Sequence, residues 1–253
     1  PDLEEMARET LTPVVHKRIR IITHKIQFNQ LKIDLAQWKE QPFPRLVEGI
    51  WIMTRYQFPD ITMEEIVQSI KPLRDEIWLE LSDQLTAMEK IQVMNRILFD
   101  HDRFRLNEKR PTSPWNDFIH RVVETGNTNS TSIALLYTTI AQELGIPLYV
   151  VEAFDYPILA YLDTSLPLEE VGNPVGYEIL FYVNPAEKGV LFSRDDITNC
   201  LIQELEPLDP KSYEPLPYED MIGLSLRRLQ LDYYRSKMEV REKDIEDLLD
   251  LWI

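Results

Sequence analysis

Cysteine is almost absent from this chain: Cys200 is the only one in 253 residues. A single thiol excludes an internal disulfide framework and a zinc site built from several thiolates. Glycine is also scarce, with seven residues, which favours a helix-rich protein. No glycine-rich loop of the kind that cradles phosphate is present. No apolar run approaches the ~18 residues of a membrane-spanning helix, so we expect no membrane partner.

Positive charge is in short supply as well. The chain has 43 acidic and 27 basic residues, which gives a formal net charge of −16. Such a balance repels nucleic-acid phosphates and anionic membranes, so we expect neither as a partner. The first residues lack the basic-then-apolar pattern of a secretory signal. Together with the single cysteine, this predicts a cytoplasmic protein, and no pattern indicates a cofactor or a metal.

The first hundred residues have helical periodicity. Val15, Ile19, Ile22 and Ile26 recur at spacings of four, three and four, which predicts one buried helical face. The segment 41–45 (QPFPR) should end that helix. A further helix is predicted from Leu46 to Tyr56, and two capping boxes should open the next two. They are Thr62 with Glu65, and Thr86 with Glu89.

Beyond residue 125 the pattern predicts an α+β arrangement. Ile133, Leu136, Ile140 and Leu144 mark a helix over 130–144, and three β-rich runs follow at 147–154, 156–162 and 177–184. The connections are too short for helical crossovers, so the strands should be antiparallel. A proline-rich linker is predicted over 206–217, and a helix with apolar residues at 222, 226, 229 and 233 after it. The sequence thus predicts three regions: a helical N-terminal region (1–105), an α+β core (106–206), and the linker with C-terminal helices (207–253).

An ordered series of short motifs carries a family resemblance. The motifs are Met94–Phe99 (MNRILF), Phe104, Pro114-Trp115-Asn116, Gly126-Asn127, Ser132–Tyr137 (SIALLY) and Leu144–Pro147 (LGIP). In this order they resemble a bacterial branch of the transglutaminase-like superfamily. The resemblance implies a papain-like core, a central helix on an antiparallel sheet, flanked by N- and C-terminal helices. It also implies a Cys–His–Asp triad in active members.

Each triad position carries a different residue type in this chain, so the resemblance implies a degenerate triad. The nucleophile's position falls at Ser130, or at Ser132 in another register. The histidine's position falls at Asp155-Tyr156-Pro157, and the aspartate's position at Asn184. Either serine would equally suit the N-cap of the helix. Among the histidines, His120 is nearest in sequence to Ser130 and is the alternative base.

Two functions remain open on this sequence. The first is a non-catalytic transglutaminase-like binding or scaffold module. The second is a serine-based acyl transferase or hydrolase using Ser130 with His120 or Tyr156. A hydroxyl nucleophile without a positioned base forfeits on the order of 10²–10⁴ in rate, which favours the module over the enzyme.

Basic residues gather at 16–25 and 227–241. If the two groups adjoin, they predict an acidic protein partner or self-association; otherwise they pair with the chain's own carboxylates. Cys200, between Ile197, Leu201 and Ile202, should be a buried and slowly reacting thiol.

Overall fold

A computed structural model describes residues 13–106, 113–152, 156–204 and 214–252, with four helices in its first described range. They are α1 (Pro13–Lys39), α2 (Leu46–Arg55), α3 (Met63–Glu80) and α4 (Ala87–Phe99). Both predicted capping boxes are confirmed, at Thr62 with Glu65 and at Thr86 with Glu89. A 3-10 turn (Asp100–Asp102) and the short strand β1 (Arg105–Leu106) follow. The first part of the molecule is therefore helical, as predicted.

The middle of the chain alternates short elements with one long helix. A 3-10 turn (Pro114–Asp117), α5 (Ile119–Thr125) and β2 (Asn127–Thr128) lead into α6 (Ser130–Glu143). Strands β1 and β2 form a parallel pair. Every residue of α6 from Thr131 to Gln142 is buried, which is typical of a helix surrounded by other elements. The predicted helix over 130–144 is confirmed.

A four-stranded antiparallel sheet packs against α6. Its strands are β3 (Leu148–Val151), β4 (Ile158–Leu162), β5 (Ile179–Asn184) and β6 (Val190–Phe192), in that spatial order. The predicted antiparallel order of the first three strands is confirmed, although each is shorter than expected. Strand β6 was not predicted, because its three residues carry too little pattern to distinguish a strand.

Helices also follow the sheet. The one-turn α7 (Leu168–Val171) lies between β4 and β5, and α8 (Arg194–Glu204) begins beside the Ser193–Asp196 cap. Then come α9 (Tyr218–Arg235), α10 (Glu239–Leu249) and a 3-10 turn (Asp250–Trp252). Most of the predicted linker, and the side chain of Cys200, lie outside the described residues. One apolar core runs from Leu31 of α1 to Leu248 of α10, which makes this a helix-rich α+β protein.

The predicted buried face of α1 is confirmed at Ile19, which is 8% exposed, but it is wrong at the next two positions. Ile22 is 47% exposed and Ile26 is 55% exposed. The helix instead turns Leu31, Leu35 and Trp38 into the core. Its largest contribution to the core therefore comes from its second half and from a different face.

Gln142 connects α6 to the helices before it. Its Oε1 accepts a hydrogen bond of 2.7 Å from the backbone N of Leu46, and its Nε2 donates one of 3.1 Å to the carbonyl of Pro44. The first N–H groups of a helix have no partner within that helix. This buried amide therefore supplies the partner that α2 needs at its first turn.

Replacing Gln142 with Leu should destabilise the protein by roughly 2–5 kcal/mol, because two backbone groups would be left without partners. Urea denaturation gives the free energy of unfolding. Thr139→Val is the matched control, since Thr139 is also buried in α6 and its hydroxyl donates to the helical carbonyl of Leu135. That change should cost no more than about 1 kcal/mol. Equal losses in the two variants would contradict a bridging role for Gln142.

Candidate functional site

A tight turn at Gly126 delivers the chain to the first turn of α6. Gly126 has a φ of +69°, and a Cβ there would lie 2.5 Å from the carbonyl oxygen of Arg103. Only glycine combines that backbone conformation with so close an approach. The Gly126 carbonyl accepts a hydrogen bond of 2.9 Å from the backbone N of Arg105, next to the β1–β2 pair. The position where α6 begins is therefore set by backbone contacts.

Asn129 is the N-cap of α6, which corrects the expectation that Ser130 or Ser132 has that role. The Asn129 Oδ1 accepts a hydrogen bond of 2.8 Å from the backbone N of Ser132, and the Ser132 Oγ accepts one of 3.0 Å from the backbone N of Asn129. The hydroxyls of Thr128 and Ser132 are also hydrogen-bonded, at 2.8 Å. The Ser132 hydroxyl is therefore part of a buried capping box.

A buried carboxyl pair holds this cap in place. The Asn129 Nδ2 donates a hydrogen bond of 2.7 Å to Asp117 Oδ1, and Asp117 lies within hydrogen-bonding reach of Asp232 on α9. Asp232 is fully buried, and the guanidinium of Arg228 lies 3.3 Å from it as an ion pair. A polar path thus runs from Arg228 through both carboxyls to the cap of α6.

Both carboxyls have a raised pKa. Burial is the largest cause, and it raises the pKa of Asp117 well above its usual range; the charge of Asp232 raises it further. Burial also raises the pKa of Asp232, against the lowering effect of Arg228. Beyond that ion pair, Asp117 Oδ2 and both Asp232 oxygens have no hydrogen-bond partner among the described residues. One proton shared between the two carboxyls would supply the missing donor.

A cavity of about 180 Å³ lies beside the first turn of α6. One wall is formed by Thr131, Tyr156 and Pro157. The remaining lining residues are Glu152 and, from α9, Leu224, Arg227, Arg228 and Leu231. Arg227 forms an ion pair of 3.1 Å with Glu152 at the rim. This cavity therefore joins the start of α6, the start of β4 and one face of α9. We call it the α6–α9 cavity.

The residues predicted for the site occupy different environments. Tyr156 and Pro157 line the α6–α9 cavity, whereas Ser130 is half-buried and is not among the residues given for its lining. Asn184 is buried, and its Oδ1 accepts a hydrogen bond of 3.0 Å from the backbone N of Ala186. The register of β4 and β5 puts Asn184 beside the start of β4. Asp155 lies outside the described residues.

His120 packs into an aromatic cluster. Its ring meets Phe58 edge-on with centroids 4.7 Å apart, and Phe118 is 6.4 Å away. Burial lowers the pKa of His120, and the charge of Arg121 lowers it further. Its Nδ1 has no hydrogen-bond partner in the described part of the chain, and no hydrogen bond joins it to Ser130 or Ser132 there. His120 is thus packed as an apolar ring.

Sequence reasoning missed Asp117, Asp232 and Arg228. Asp232 could have been noticed, because it falls between Leu229 and Tyr233 on the apolar stripe of α9, where a charged residue needs a buried partner. Asp117 had no comparable local signal. Its partners are 12 and 115 residues away in the sequence, and only the fold brings them together.

The described residues contain no group of three or more His, Cys, Asp or Glu side chains that could hold a metal ion. Within the same residues, the helices are too short or too polar to cross a lipid bilayer.

A family model for the transglutaminase-like superfamily matches residues 64–227, about two-thirds of the chain. The match spans α6, the whole antiparallel sheet and the first part of α9, where it ends at Arg227. This protein therefore belongs to the transglutaminase-like superfamily. Comparisons with curated proteins and with solved structures found no match.

The carboxyl pair predicts a loss of stability as the pH rises. In the unfolded chain an Asp titrates near ~3.9, so a raised folded pKa means that the folded state binds more protons above that pH. The stabilising contribution is complete below the unfolded pKa and is lost as the pH rises through the folded pKa. Asp117→Asn should remove this loss, because the new amide can accept from Asn129 and donate to Asp232.

The measurement is urea denaturation of the wild type and of Asp117→Asn from pH 4 to pH 8. As the pH rises, the free energy of unfolding of the variant should increase relative to that of the wild type by up to about 1.4 kcal/mol per pH unit, until the pair has titrated. Asp60→Asn, at an exposed position, is the control and should follow the wild type. A difference that stays constant across this range would show that the pair holds no extra proton.

Proposed function

We propose that this protein is a non-catalytic member of its superfamily, from a bacterial branch with a degenerate triad, and that it acts as a binding or scaffold module. The contact surface is the α6–α9 cavity. The observation that carries the proposal is the lining of this cavity, whose described residues include neither cysteine nor histidine. A cleft built in this way can bind a ligand, but it offers no nucleophile paired with a base.

The hydroxyls near this cavity do not favour the alternative, a serine-based acyl transferase or hydrolase. Ser132 is committed to the capping box, and its bonds are to Thr128 and Asn129. The ring of His120 packs on Phe58 and Phe118. Without a general base, Ser130 would forfeit on the order of 10²–10⁴ in rate.

The walls of the cavity favour a peptide as the ligand. Leu224, Leu231 and Pro157 supply apolar surface, and the Arg227–Glu152 pair lies at the rim with both side chains about half exposed. Ligand sites combine apolar walls with a few polar groups that orient the ligand. A volume of about 180 Å³ suits one or two side chains of a bound segment. We propose a cytoplasmic location on the basis of the single cysteine.

Binding can be tested with a pool of N-acetylated, C-amidated dipeptides by saturation-transfer NMR. The wild type should bind members of the pool. Leu231→Trp should weaken binding at least tenfold, because the larger ring fills the mouth of the cavity. Val190→Trp makes a similar enlargement at a comparably exposed position on β6, away from the cavity, and should bind like the wild type. Failure of the wild type to bind any member would contradict the proposal.

Catalysis can be tested on the same protein with a blocked Gln-Gly dipeptide plus a primary amine, and with p-nitrophenyl acetate. We expect no amine incorporation, and we expect the same slow ester hydrolysis in the wild type and in Ser130→Ala. Hydrolysis that is lost in Ser130→Ala would establish the serine enzyme instead.

The expected slow labelling of Cys200 by thiol reagents stays a prediction.

A further inference from the structure

Helix α1 presents a row of isoleucines to solvent. Ile22, Ile26 and Ile33 are 47%, 55% and 50% exposed, and their spacings of four and seven put them on one side of the helix. The opposite side carries the buried residues Leu31, Leu35 and Trp38. Exposed apolar side chains are ordinary when scattered singly, but three on one side of a helix form a surface that a partner can cover. We call these three residues the isoleucine row.

A basic edge runs along the isoleucine row. Arg18, Lys25 and Lys32 recur every seven residues and lie beside the row on the same helix. In the described part of the chain none of the three forms an ion pair. The one acidic residue of α1 is Asp34, which pairs with Arg55 at 2.7 Å. This helix is therefore positively charged in a chain of net charge −16.

The basic residues near the C-terminus differ from this edge. Arg227 pairs with Glu152, Arg228 with Asp232, and the guanidinium of Arg241 donates to Gln57. An exposed pair such as Arg227–Glu152 contributes only ~0–1 kcal/mol, but each of these contacts leaves less charge for a partner. Arg235 and Lys237 form no ion pair in the described part of the chain either, but α1 carries the larger group without one: Lys17, Arg18, Arg20, Lys25 and Lys32.

Contacts on its other sides hold α1 in place. The His24 Nε2 lies 2.8 Å from the Asp244 carboxylate of α10, and the Tyr56 hydroxyl donates to the same oxygen at 2.9 Å. Near the end of α1, the Lys39 amine donates to the carbonyl of Leu251 and lies over the ring of Trp252. The isoleucine row is therefore displayed on an anchored helix, which lowers the entropic cost of binding.

The spacing of the row matches one strand of a coiled coil. Ile26 and Ile33 are seven residues apart and take heptad position a, and Ile22, four residues before Ile26, takes position d. Ile19 would be the preceding a position, but it is only 8% exposed and so is not part of the row. Arg18, Lys25 and Lys32 then occupy position g. Charges at e and g select the partner helix.

We propose that the isoleucine row docks an amphipathic helix of a partner protein whose flanking positions are acidic. Glutamates beside the apolar seam of the partner would meet the basic edge formed by Arg18, Lys25 and Lys32. This surface lies outside the segment that matches the family, and it does not depend on the α6–α9 cavity.

Two other occupants fit less well. In an antiparallel pair of copies the basic g positions would face each other, and in a parallel pair they would face the neutral Thr23, Gln30 and Gln37. A lipid surface would be approached by isoleucines without aromatic anchors, on a body that anionic headgroups repel. An acidic helix satisfies both the apolar row and the charge.

The test uses two synthetic three-heptad peptides with Leu at positions a and d, one with Glu and one with Lys at positions e and g. Fluorescence anisotropy should show the full-length protein binding the Glu peptide at least tenfold more tightly than the Lys peptide. Ile22→Gln with Ile26→Gln should weaken that binding at least tenfold at an unchanged Tm. The control double variant, Val190→Gln with Val240→Gln, changes exposed valines elsewhere and should bind normally.

A charge reversal separates specific docking from apolar adhesion. The triple variant Arg18→Glu, Lys25→Glu and Lys32→Glu should reverse the preference and bind the Lys peptide. Leu231→Trp should leave Glu-peptide binding unchanged, so that failure here is distinct from failure at the α6–α9 cavity. Equal binding of the two peptides by the wild type would overturn the proposal. Failure of the wild type to bind the Glu peptide would also overturn it. If the wild type then forms a dimer in light scattering, or binds phosphatidylserine vesicles, and Ile22→Gln with Ile26→Gln abolishes this, the row serves that other occupant.

Discussion

The hydrogen bond from Asn129 to Asp117 is the interaction on which this site depends. Helix α6 is buried along almost its whole length, so its first N–H groups need partners within the protein. The side chain of Asn129 supplies one, and Asp117 fixes the orientation of that side chain. Because Ser132 completes the capping box, its hydroxyl at the start of the helix has a structural role. The requirement to cap a buried helix therefore limits the chemistry available beside it.

The carboxyl pair behind the cap invites comparison with catalytic dyads. Two carboxyls that share one proton divide acid and base roles in aspartic proteases. Such a dyad must touch its substrate, and Asp232 is fully buried while Asp117 is 3% exposed. The ion pair with Arg228 and the bond to Asn129 also tie both groups to neighbouring elements. We therefore interpret the pair as a fixed connection between α9 and the start of α6, on the inner side of the cavity wall.

Local patterns predicted the elements of this fold, and distant contacts decided the site. The capping boxes at Thr62 and Thr86, the limits of α6 and the first three strands of the sheet all follow from short-range periodicity and turn chemistry. Asn129 rather than Ser130 is the N-cap, and its side chain is held by Asp117. No local sequence pattern predicts that contact. Strand β6 exists through pairing with β5, and its own three residues carry no alternation that could be recognised.

The error on α1 shows why periodicity alone does not locate a core. The spacing of Ile19, Ile22 and Ile26 is typical of a helix face that is covered by other residues. The pattern does not indicate whether those residues belong to the same chain or to a partner. In this structure Ile19 is buried as that pattern predicts, but the core takes Leu31, Leu35 and Trp38 from another face, and Ile22 and Ile26 stay about half exposed. A helix long enough to serve two partners can carry two apolar faces, one for its own chain and one for another. The isoleucine row, with basic residues beside it every seven positions, is the face for another chain. The protein's own core does not require positive charge beside an apolar face.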